Sequence, residues 1–391
     1  VMSDRIQFKI IKNLVKFLLI ILVILNLTAC NLPRPVKAED RMFLKLSIDF
    51  LGEYQLPKQN FQDTVVGGLS GITYDRNAGQ FYVISDDRSE RGDARFYTMD
   101  LSLNPEQTKL DKVTIKGATL LKDLQENNYA KGTIDPEGIG FSPRNTVFIS
   151  SEGNIAQGIA PSLGEYDLKT GRLRQLLQIP KRFLPNPSQD APPQGIRNNL
   201  GFESLTLGIS SNLKDDPFRL FTATENALIQ DNPTEIPEDA IKNRLLHYVV
   251  NPFGSPVLVA EHLYLLEPLP ENARYHGLTE LLAFEKEGYL LSLERTLGLT
   301  GFEAKIFQVV TADATDTSRV ESLQGNIGKI HPMRKQLLLD LSELGIELDN
   351  LEGMTFGPRL KDGSLSLFVV SDDNFRDDQI TQFLLFRIRG I

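Results

Sequence analysis

The chain has 391 residues, of which 42 are lysine or arginine and 51 are aspartate or glutamate, so its formal net charge at pH 7 is −9. This acidic balance disfavours nucleic acids and anionic membrane surfaces as partners, and it suits the binding of cations. Cys30 is the only cysteine, which excludes a disulfide within the chain, and tryptophan is absent, which argues against a WD40 array.

Residues 1–30 are predicted to be an export signal. Basic residues precede the short apolar run 17–25, and a run of this length is typical of a signal peptide rather than of a membrane helix. The tetrapeptide LTAC that ends at Cys30 resembles a bacterial lipobox, in which the cysteine carries the lipid. We therefore expect lipidation at Cys30 and an extracytoplasmic lipoprotein anchored to a membrane, in the periplasm or at the cell surface. An ordinary cleaved signal is the alternative.

Residues 31–41 contain prolines and charges and are predicted to be a tether, and residues 42–391 are predicted to be a single domain. Removal of residues 1–30, which contain four basic residues and one acidic residue, changes the formal charge to −12. Residues 31–391 are therefore more acidic than the whole chain.

A short motif recurs five times in the predicted domain, each time at the start of an apolar run. Its second positions are Gly71, Gly138, Ser204, Gly277 and Gly353, which are 67, 66, 73 and 76 residues apart. The segments before the first and after the last of these positions together make up one further interval of similar length. The chain therefore closes on itself in the same step.

The strand-like runs predict an all-β fold. Four of the five intervals hold four such runs, and the last holds three, while the run 43–54 near the N-terminus can supply the fourth. Four-stranded units repeated around a ring describe a β-propeller. We predict five blades closed by the N-terminal strand, which removes the exposed sheet edges at the seam. Six blades, with a degenerate blade near residues 312–336, are the alternative.

Aligning the repeats places two residues from each blade at one channel mouth. A first ring comes from the starts of the first strands, and a second ring comes from the ends of the second strands. The first ring is Ser70, Glu137, Glu203, His276 and Glu352, and the second ring is Asp86, Glu152, Glu225, Glu294 and Asp372. Like charges gathered in this way repel unless they are protonated, paired or bound to a metal.

The two rings suggest different roles. Every blade has an acid in the second ring, and a feature of every repeat is typical of architecture, so Glu152, Glu225 and Glu294 are interpreted as structural acids. The first ring is irregular, which favours a functional site. The predicted metal ligands are Glu137, Glu203, His276, Glu352, Asp86 and Asp372, the last two because closure makes their blades neighbours.

Oxygen-rich ligands favour a hard divalent cation, Ca²⁺ above all or Mg²⁺, and His276 would also admit Zn²⁺ or Mn²⁺. His276 and Glu203 are the predicted catalytic residues. Arginines that lie among the acids could bind an anionic substrate such as a phosphate ester. The predicted substrate-binding residues are Ser70, Arg88, Arg295 and Arg376, and Arg91 and Arg95 lie in the same acidic segment.

Motifs of serine hydrolases, nucleotide-binding loops and zincins are absent from the sequence. The segments DPEGIGFSP and VFISSEGN, the tripeptide Leu293–Arg295, and NLEGMTFGP, LFVVSDDNF and TQFLLFRI near the C-terminus resemble the bacterial family called "esterase-like activity of phytase". The resemblance implies a β-propeller related to phytase-type propellers and an activity that cleaves phosphoesters or esters.

Three functions therefore remain open at the level of sequence. The first is a metal-dependent hydrolase of phosphate esters outside the cytoplasm. The second is a lactonase or carboxylester hydrolase with one divalent ion in the channel. The third is a non-enzymatic, lipid-anchored binding or scaffold propeller whose acids are structural. No feature of the sequence implies an oligomer.

Overall fold

Runs of consecutive apolar residues, such as 367–370, make both faces of a strand apolar, and the chain buries both faces by packing sheets against one another. The computed structural model describes residues 42–186, 191–211, 213–232, 240–271, 273–325 and 327–391. These residues form 22 β-strands and three short 3₁₀ turns. The predicted leader, the predicted lipidation site Cys30 and the predicted tether lie outside the described residues.

Most strands belong to five antiparallel sheets of four strands each. Within the first four sheets the strands follow chain order. Blade 1 is β4 (Gly71–Asp75), β5 (Gln80–Ile84), β6 (Arg95–Leu103) and β7 (Leu110–Leu120); blade 2 is β8 (Pro136–Ser142), β9 (Thr146–Ser151), β10 (Ser162–Asp167) and β11 (Leu173–Leu176); blade 3 is β12 (Phe202–Gly208), β13 (Phe218–Thr224), β14 (Lys242–Val250) and β15 (Val257–Leu265); blade 4 is β16 (Tyr275–Ala283), β17 (Tyr289–Leu297), β18 (Phe302–Val310) and β19 (Arg334–Asp340).

The fifth blade is built from both ends of the domain. It consists of β20 (Asn350–Arg359), β21 (Leu365–Asp372), β22 (Thr381–Arg389) and, on the outside, the N-terminal strand β1 (Ser47–Leu56). Strands β1 and β22 pair antiparallel from Ser47 opposite Arg389 to Leu56 opposite Thr381. The predicted closure by the N-terminal strand is therefore confirmed. A separate hairpin, β2 (Gln59–Phe61) and β3 (Thr64–Val66), follows β1.

The first strands of the five blades contact one another in a closed ring, β4 to β8, β12, β16, β20 and back to β4. This confirms a five-bladed propeller. The six-bladed alternative is wrong, since the described part of residues 311–333 connects β18 to β19 and contributes no strand to a further sheet. Among the described residues, no helix has the length and apolar character needed to cross a membrane.

The core lies between neighbouring blades. In β21, Leu367 and Val369 pack toward blade 4, while Phe368 and Val370 pack with Phe81 of blade 1. Successive side chains of a strand point to opposite faces, so this strand is apolar at every position because both faces are covered. Each such buried side chain contributes about 1.5–3 kcal/mol relative to exposure.

Glycine at the second motif position allows the inner strands to approach one another. A Cβ atom on Gly71 would lie 2.6 Å from the carbonyl oxygen of Glu137, and one on Gly138 would lie 2.6 Å from that of Glu203. The Ser70 hydroxyl also donates to the Glu137 carbonyl oxygen at 3.0 Å. The glycines at these two positions therefore allow the first strands of blades 1, 2 and 3 to pack closely against one another.

Candidate functional site

An acidic cavity of about 310 Å³ opens at the mouth where the first strands begin. In blade 5, Asn350 at the start of β20 pairs with Asp372 at the end of β21, so antiparallel pairing brings both strand ends to one side. The same pairing in other blades adds further acids. The lining residues are Asp86, Asp87, Arg88, Glu90, Arg91, Glu137, Asn199, Glu203, Glu352, Asp372, Asn374 and Phe375.

Two triads of buried carboxylates lie beside this cavity. Asp135, Glu137 and Glu152 place one oxygen each within 4.8 Å of one another, and Glu152, Glu203 and Glu225 do the same. Glu152 belongs to both. The triads therefore combine acids of the first ring with acids of the second ring, which the sequence separated into functional and structural groups; the roles of individual residues stay predictions.

Asp135 is an acid that sequence reasoning missed. It precedes Pro136 and lies two positions before Glu137. In an extended segment, residues two apart face the same side, so the spacing carried the signal that both carboxylates meet at the mouth.

The closely spaced acids at the mouth favour the binding of protons or cations. Burial raises the pKa of eight carboxylates at the mouth above the ordinary value, and for most of them neighbouring carboxylates raise it further. The eight are Asp86, Asp135, Glu137, Glu152, Glu203, Glu225, Glu352 and Asp372. For Glu352 burial raises the pKa to about 7, against the opposing effect of Arg295.

Two carboxyl pairs lie close together, Asp135 with Glu137 and Glu203 with Glu225, with oxygens within 4.8 Å of each other. Two buried negative charges at this separation repel strongly, so each pair favours a bound proton or a cation. Asp86 Oδ1 and Asp135 Oδ2 are buried and accept no hydrogen bond from the described residues. An oxygen-only donor set with orphaned buried oxygens fits a hard divalent cation.

Arg295 is the counter-ion on the opposite side of the mouth. Its Nη2 lies 2.6 Å from Glu225 Oε1, and its Nη1 contacts Glu352 and Asn350. The Tyr275 hydroxyl donates to Glu225 beneath the guanidinium. Neighbouring carboxylates raise the pKa of Arg295 against the effect of burial. This predicted substrate-binding arginine therefore ties blades 3, 4 and 5 together.

The other predicted substrate-binding residues occupy different positions. Arg88 lies at the rim, where Nε donates to Asp135 Oδ1 at 2.7 Å and Nη2 to Asn199 Oδ1 at 2.6 Å. Arg376 is exposed, forms a two-pronged contact with Asp378 at 2.9 Å and is absent from the cavity lining. The hydroxyl of Ser70 is engaged in the inter-strand bond described above.

His276 lies in a separate buried cluster of blade 4. Its Nδ1 is 2.8 Å from Thr296 Oγ1, and its Nε2 is 3.6 Å from Glu294 Oε2. Glu294 also accepts a hydrogen bond from the Tyr264 hydroxyl at 2.6 Å. Burial lowers the pKa of His276, so the ring is held neutral at pH 7. The structure therefore brings His276 and Glu294 together and does not include them in the lining of the acidic cavity.

Several solved structures are similar to this chain at low sequence identity. The catalytic domain of a GH62 α-L-arabinofuranosidase of Coprinopsis cinerea is 11% identical, covers 88% of this chain and 97% of its own, and superposes with a TM-score of 0.40. A glucose dehydrogenase is 14% identical over 85% of this chain and 86% of its own, with a TM-score of 0.35. A GH32 β-fructofuranosidase of Bombyx mori is 10% identical over 83% of this chain and 60% of its own, with a TM-score of 0.37.

No curated protein matches the chain. The family "Phytase-like: Esterase-like activity of phytase" matches residues 64–375. This match includes the five inner hairpins and all eight carboxylates of the mouth. Since the match extends over most of the chain, the protein belongs to the phytase-like family.

Proposed function

We propose that this protein is a metal-dependent hydrolase of phosphate esters or other esters, with its reaction site in the acidic cavity. The observation that carries the proposal is the pair of carboxylate triads that share Glu152. Family membership supports the reaction class. We further propose that Ca²⁺ is the preferred ion and that the substrate is a small anionic ester.

We also propose that a lipid on Cys30 holds the protein to a membrane outside the cytoplasm. Cys30→Ser should then release the exported protein into the soluble fraction.

The cation would be held by Asp135, Glu137, Glu152 and Glu203, which lie on blades 2 and 3. There it would offset the charge of the ester oxygens and polarise the bond to be cleaved. Arg295 pairs with Glu225 and Glu352 on the far side, and Arg88 pairs with Asp135. Among the acids of the two triads, Glu137, Glu152 and Glu203 have no ion pair with a described residue.

Glu352 is the residue best suited to hold a proton for the leaving group. Its pKa is raised to about 7, and a general acid is most effective when its pKa lies near the working pH. Both of its side-chain hydrogen bonds, from Arg295 and Asn350, fall on Oε1. Oε2 is therefore the oxygen that we assign to the proton. Arg88, fixed by Asp135, would orient the anionic part of the substrate.

The test is hydrolysis of 4-nitrophenyl phosphate and 4-nitrophenyl acetate by the full chain, with EDTA or with added Ca²⁺, Mg²⁺, Mn²⁺ or Zn²⁺. Activity should require one of the cations. Glu152→Gln should lower the activity at least about tenfold, because removal of a group that only supports a metal ligand already costs about that much.

Glu165→Gln is the matched control. Glu165 is a buried glutamate of the same blade, but it accepts bonds from Thr146 at 2.8 Å and Gln175 at 2.7 Å, away from the acidic cavity. Its substitution should leave turnover unchanged. If the protein binds a cation but hydrolyses neither ester, the hydrolase proposal is wrong and a non-enzymatic binding propeller remains. If hydrolysis is the same with EDTA and with every cation, the proposed metal dependence is wrong.

A further inference from the structure

A second depression adjoins the acidic cavity, and two residues form the wall between them. This outer groove has a volume of about 650 Å³ and is lined by Lys58, Gln59, Asn60, Val65, Val66, Arg91, Asp373, Phe375 and Asp377. Arg91 and Phe375 line both the outer groove and the acidic cavity. A molecule with two different ends could therefore occupy both depressions across this wall.

The backbone that presents Phe375 is held in an unusual conformation. Asn374 has φ of 47° and Phe375 has φ of 52°, both in the left-handed region, which costs L-residues about 1–2 kcal/mol each. Asp372 Oδ1 accepts the Asn374 N–H at 2.7 Å, and Asp373 Oδ1 accepts the Phe375 N–H at 3.0 Å. Strain of this kind, retained by specific bonds, marks a side chain whose position matters.

Arg91 is also presented by a rigid base. Its N–H donates to Asp87 Oδ1 at 3.0 Å, and Asp87 Oδ2 lies 2.9 Å from Nη1 of the fully buried Arg95. The guanidinium carbon of Arg91 lies 4.6 Å from the centre of the Phe375 ring. Stacking uses the face of the guanidinium and leaves its N–H edge for an anion.

Arg91 differs from the other arginines around the mouth. Arg88, Arg295 and Arg376 each donate to a carboxylate, whereas the Arg91 side chain has no hydrogen bond or ion pair among those found in the described part of the chain. The N–H groups of Arg91 are therefore available to bind a ligand, whereas those of the other three arginines bind carboxylates of the protein.

We propose that the outer groove is the subsite for the organic part of the substrate, and that Arg91 stacked on Phe375 grips the anionic group where it enters the acidic cavity. The substrate class is an anionic ester whose alcohol part is aromatic or otherwise flat and apolar, since Phe375, Val65 and Val66 form the apolar wall. This inference rests on the proposed hydrolase. Hydrolysis consumes one water and splits such an ester into its acid and its alcohol. The acid then lies in the acidic cavity and the alcohol in the outer groove.

The test is calorimetric titration of the full chain, in the presence of a divalent cation, with three probes that are not hydrolysed: phenylphosphonate, methylphosphonate and inorganic phosphate. Wild type should bind phenylphosphonate about tenfold more tightly than methylphosphonate, because ring stacking and burial are worth about one factor of ten. Arg91→Gln should weaken all three about tenfold, as expected for loss of a charged hydrogen bond, and Arg91→Lys should weaken them less.

Phe375→Leu should abolish the preference for the phenyl group while phosphate still binds. Arg174→Gln is the control, an exposed arginine of blade 2 that donates to Asp167 and lines neither depression, and it should bind all three probes as wild type does. Thermal melting checks that each variant folds, and Arg91 is exposed, so its variants should fold normally.

The outcomes separate the two proposals. Cation-dependent binding of phosphate with no gain for the phenyl probe, and with wild-type affinity in Arg91→Gln, would overturn the subsite and leave the hydrolase standing. Failure of the cation-loaded wild type to bind any of the three probes would overturn the subsite, and the additional absence of turnover of 4-nitrophenyl phosphate and 4-nitrophenyl acetate would overturn the hydrolase as well.

Discussion

At the scale of single residues, Glu280 is a buried acid that joins an inner strand to the neighbouring blade. It lies in β16 at a bulge between Leu278 and Glu280, and it is buried. Its Oε1 accepts the backbone N–H of Leu281 at 2.9 Å and that of Leu205, on the inner strand of blade 3, at 3.1 Å. Burial raises the pKa of Glu280 well above its ordinary range, against these bonds. A single carboxyl group thus satisfies backbone donors of two blades.

Glu280→Gln should unfold at nearly the same urea concentration as wild type, because a neutral amide keeps an acceptor oxygen. Glu280→Leu should lose about 2–6 kcal/mol, because it leaves two buried N–H groups unsatisfied at about 1–3 kcal/mol each. Urea denaturation followed by circular dichroism measures both. Equal stability of the two variants would show that the carboxyl group is not needed as an acceptor.

The composition of the acidic mouth could be predicted in part from sequence. The repeats place acids such as Glu137 and Glu352 at strand ends on one side, and the cavity contains them. Sequence could not show that Glu152 meets Glu203 and Glu225, because that contact depends on how one blade packs on the next. Nor could it show that His276 turns to Glu294, since side-chain direction within a bulged strand has no signature in the repeat.

At the scale of elements, β1 completes the outer edge of blade 5. Its Phe50 ring lies 5.4 Å from that of Phe386, and its residues pair along the whole of β22. The strands and the blade count followed from alternating apolar residues and from the motif spacing. The hairpin of β2 and β3 was not foreseen, since each strand has only three residues, too few for a pattern; Arg95 holds it by donating to the Val65 carbonyl oxygen at 2.7 Å.

Deletion of residues 31–54 should abolish cooperative unfolding, because it removes most of β1 and exposes the edge of β22. Differential scanning calorimetry of the shortened chain is the measurement. Deletion of residues 31–41 alone is the control and should leave the transition intact. A shortened chain that melts like the full one would contradict the importance of closure.

At the scale of the whole molecule, an acidic protein concentrates eight raised-pKa carboxylates at one end of its channel. A carboxyl group whose pKa is raised on folding stabilises the fold fully below its unfolded pKa, and this contribution is lost as the pH rises through the folded pKa. For Glu352 the window extends from 4.5 to about 7. A bound cation would replace the missing protons.

The stabilisation by Ca²⁺ should therefore grow between pH 5 and pH 8. Melting temperatures with Ca²⁺ and with EDTA should be close at pH 5 and diverge as the pH rises, toward about 2.7 kcal/mol at a Ca²⁺ concentration one hundred times its Kd. The comparison at each pH removes the contribution of the histidines, which is the same in both samples. A difference that is absent, or constant across this range, would contradict a cation that competes with protons at the mouth.

The pairing of β1 with β22 also affects the order in which the propeller can fold. Asp49 in β1 and Arg389 in β22 form an ion pair between residues 340 positions apart. Among the described strands, β1 is synthesised first and its partner β22 last. Contacts of such long sequence separation form slowly. The first four blades can therefore assemble before β22 is available, and until then the backbone N–H and C=O groups of β1 lack their partner strand. That interval is when the chain is most exposed to mispairing with another copy.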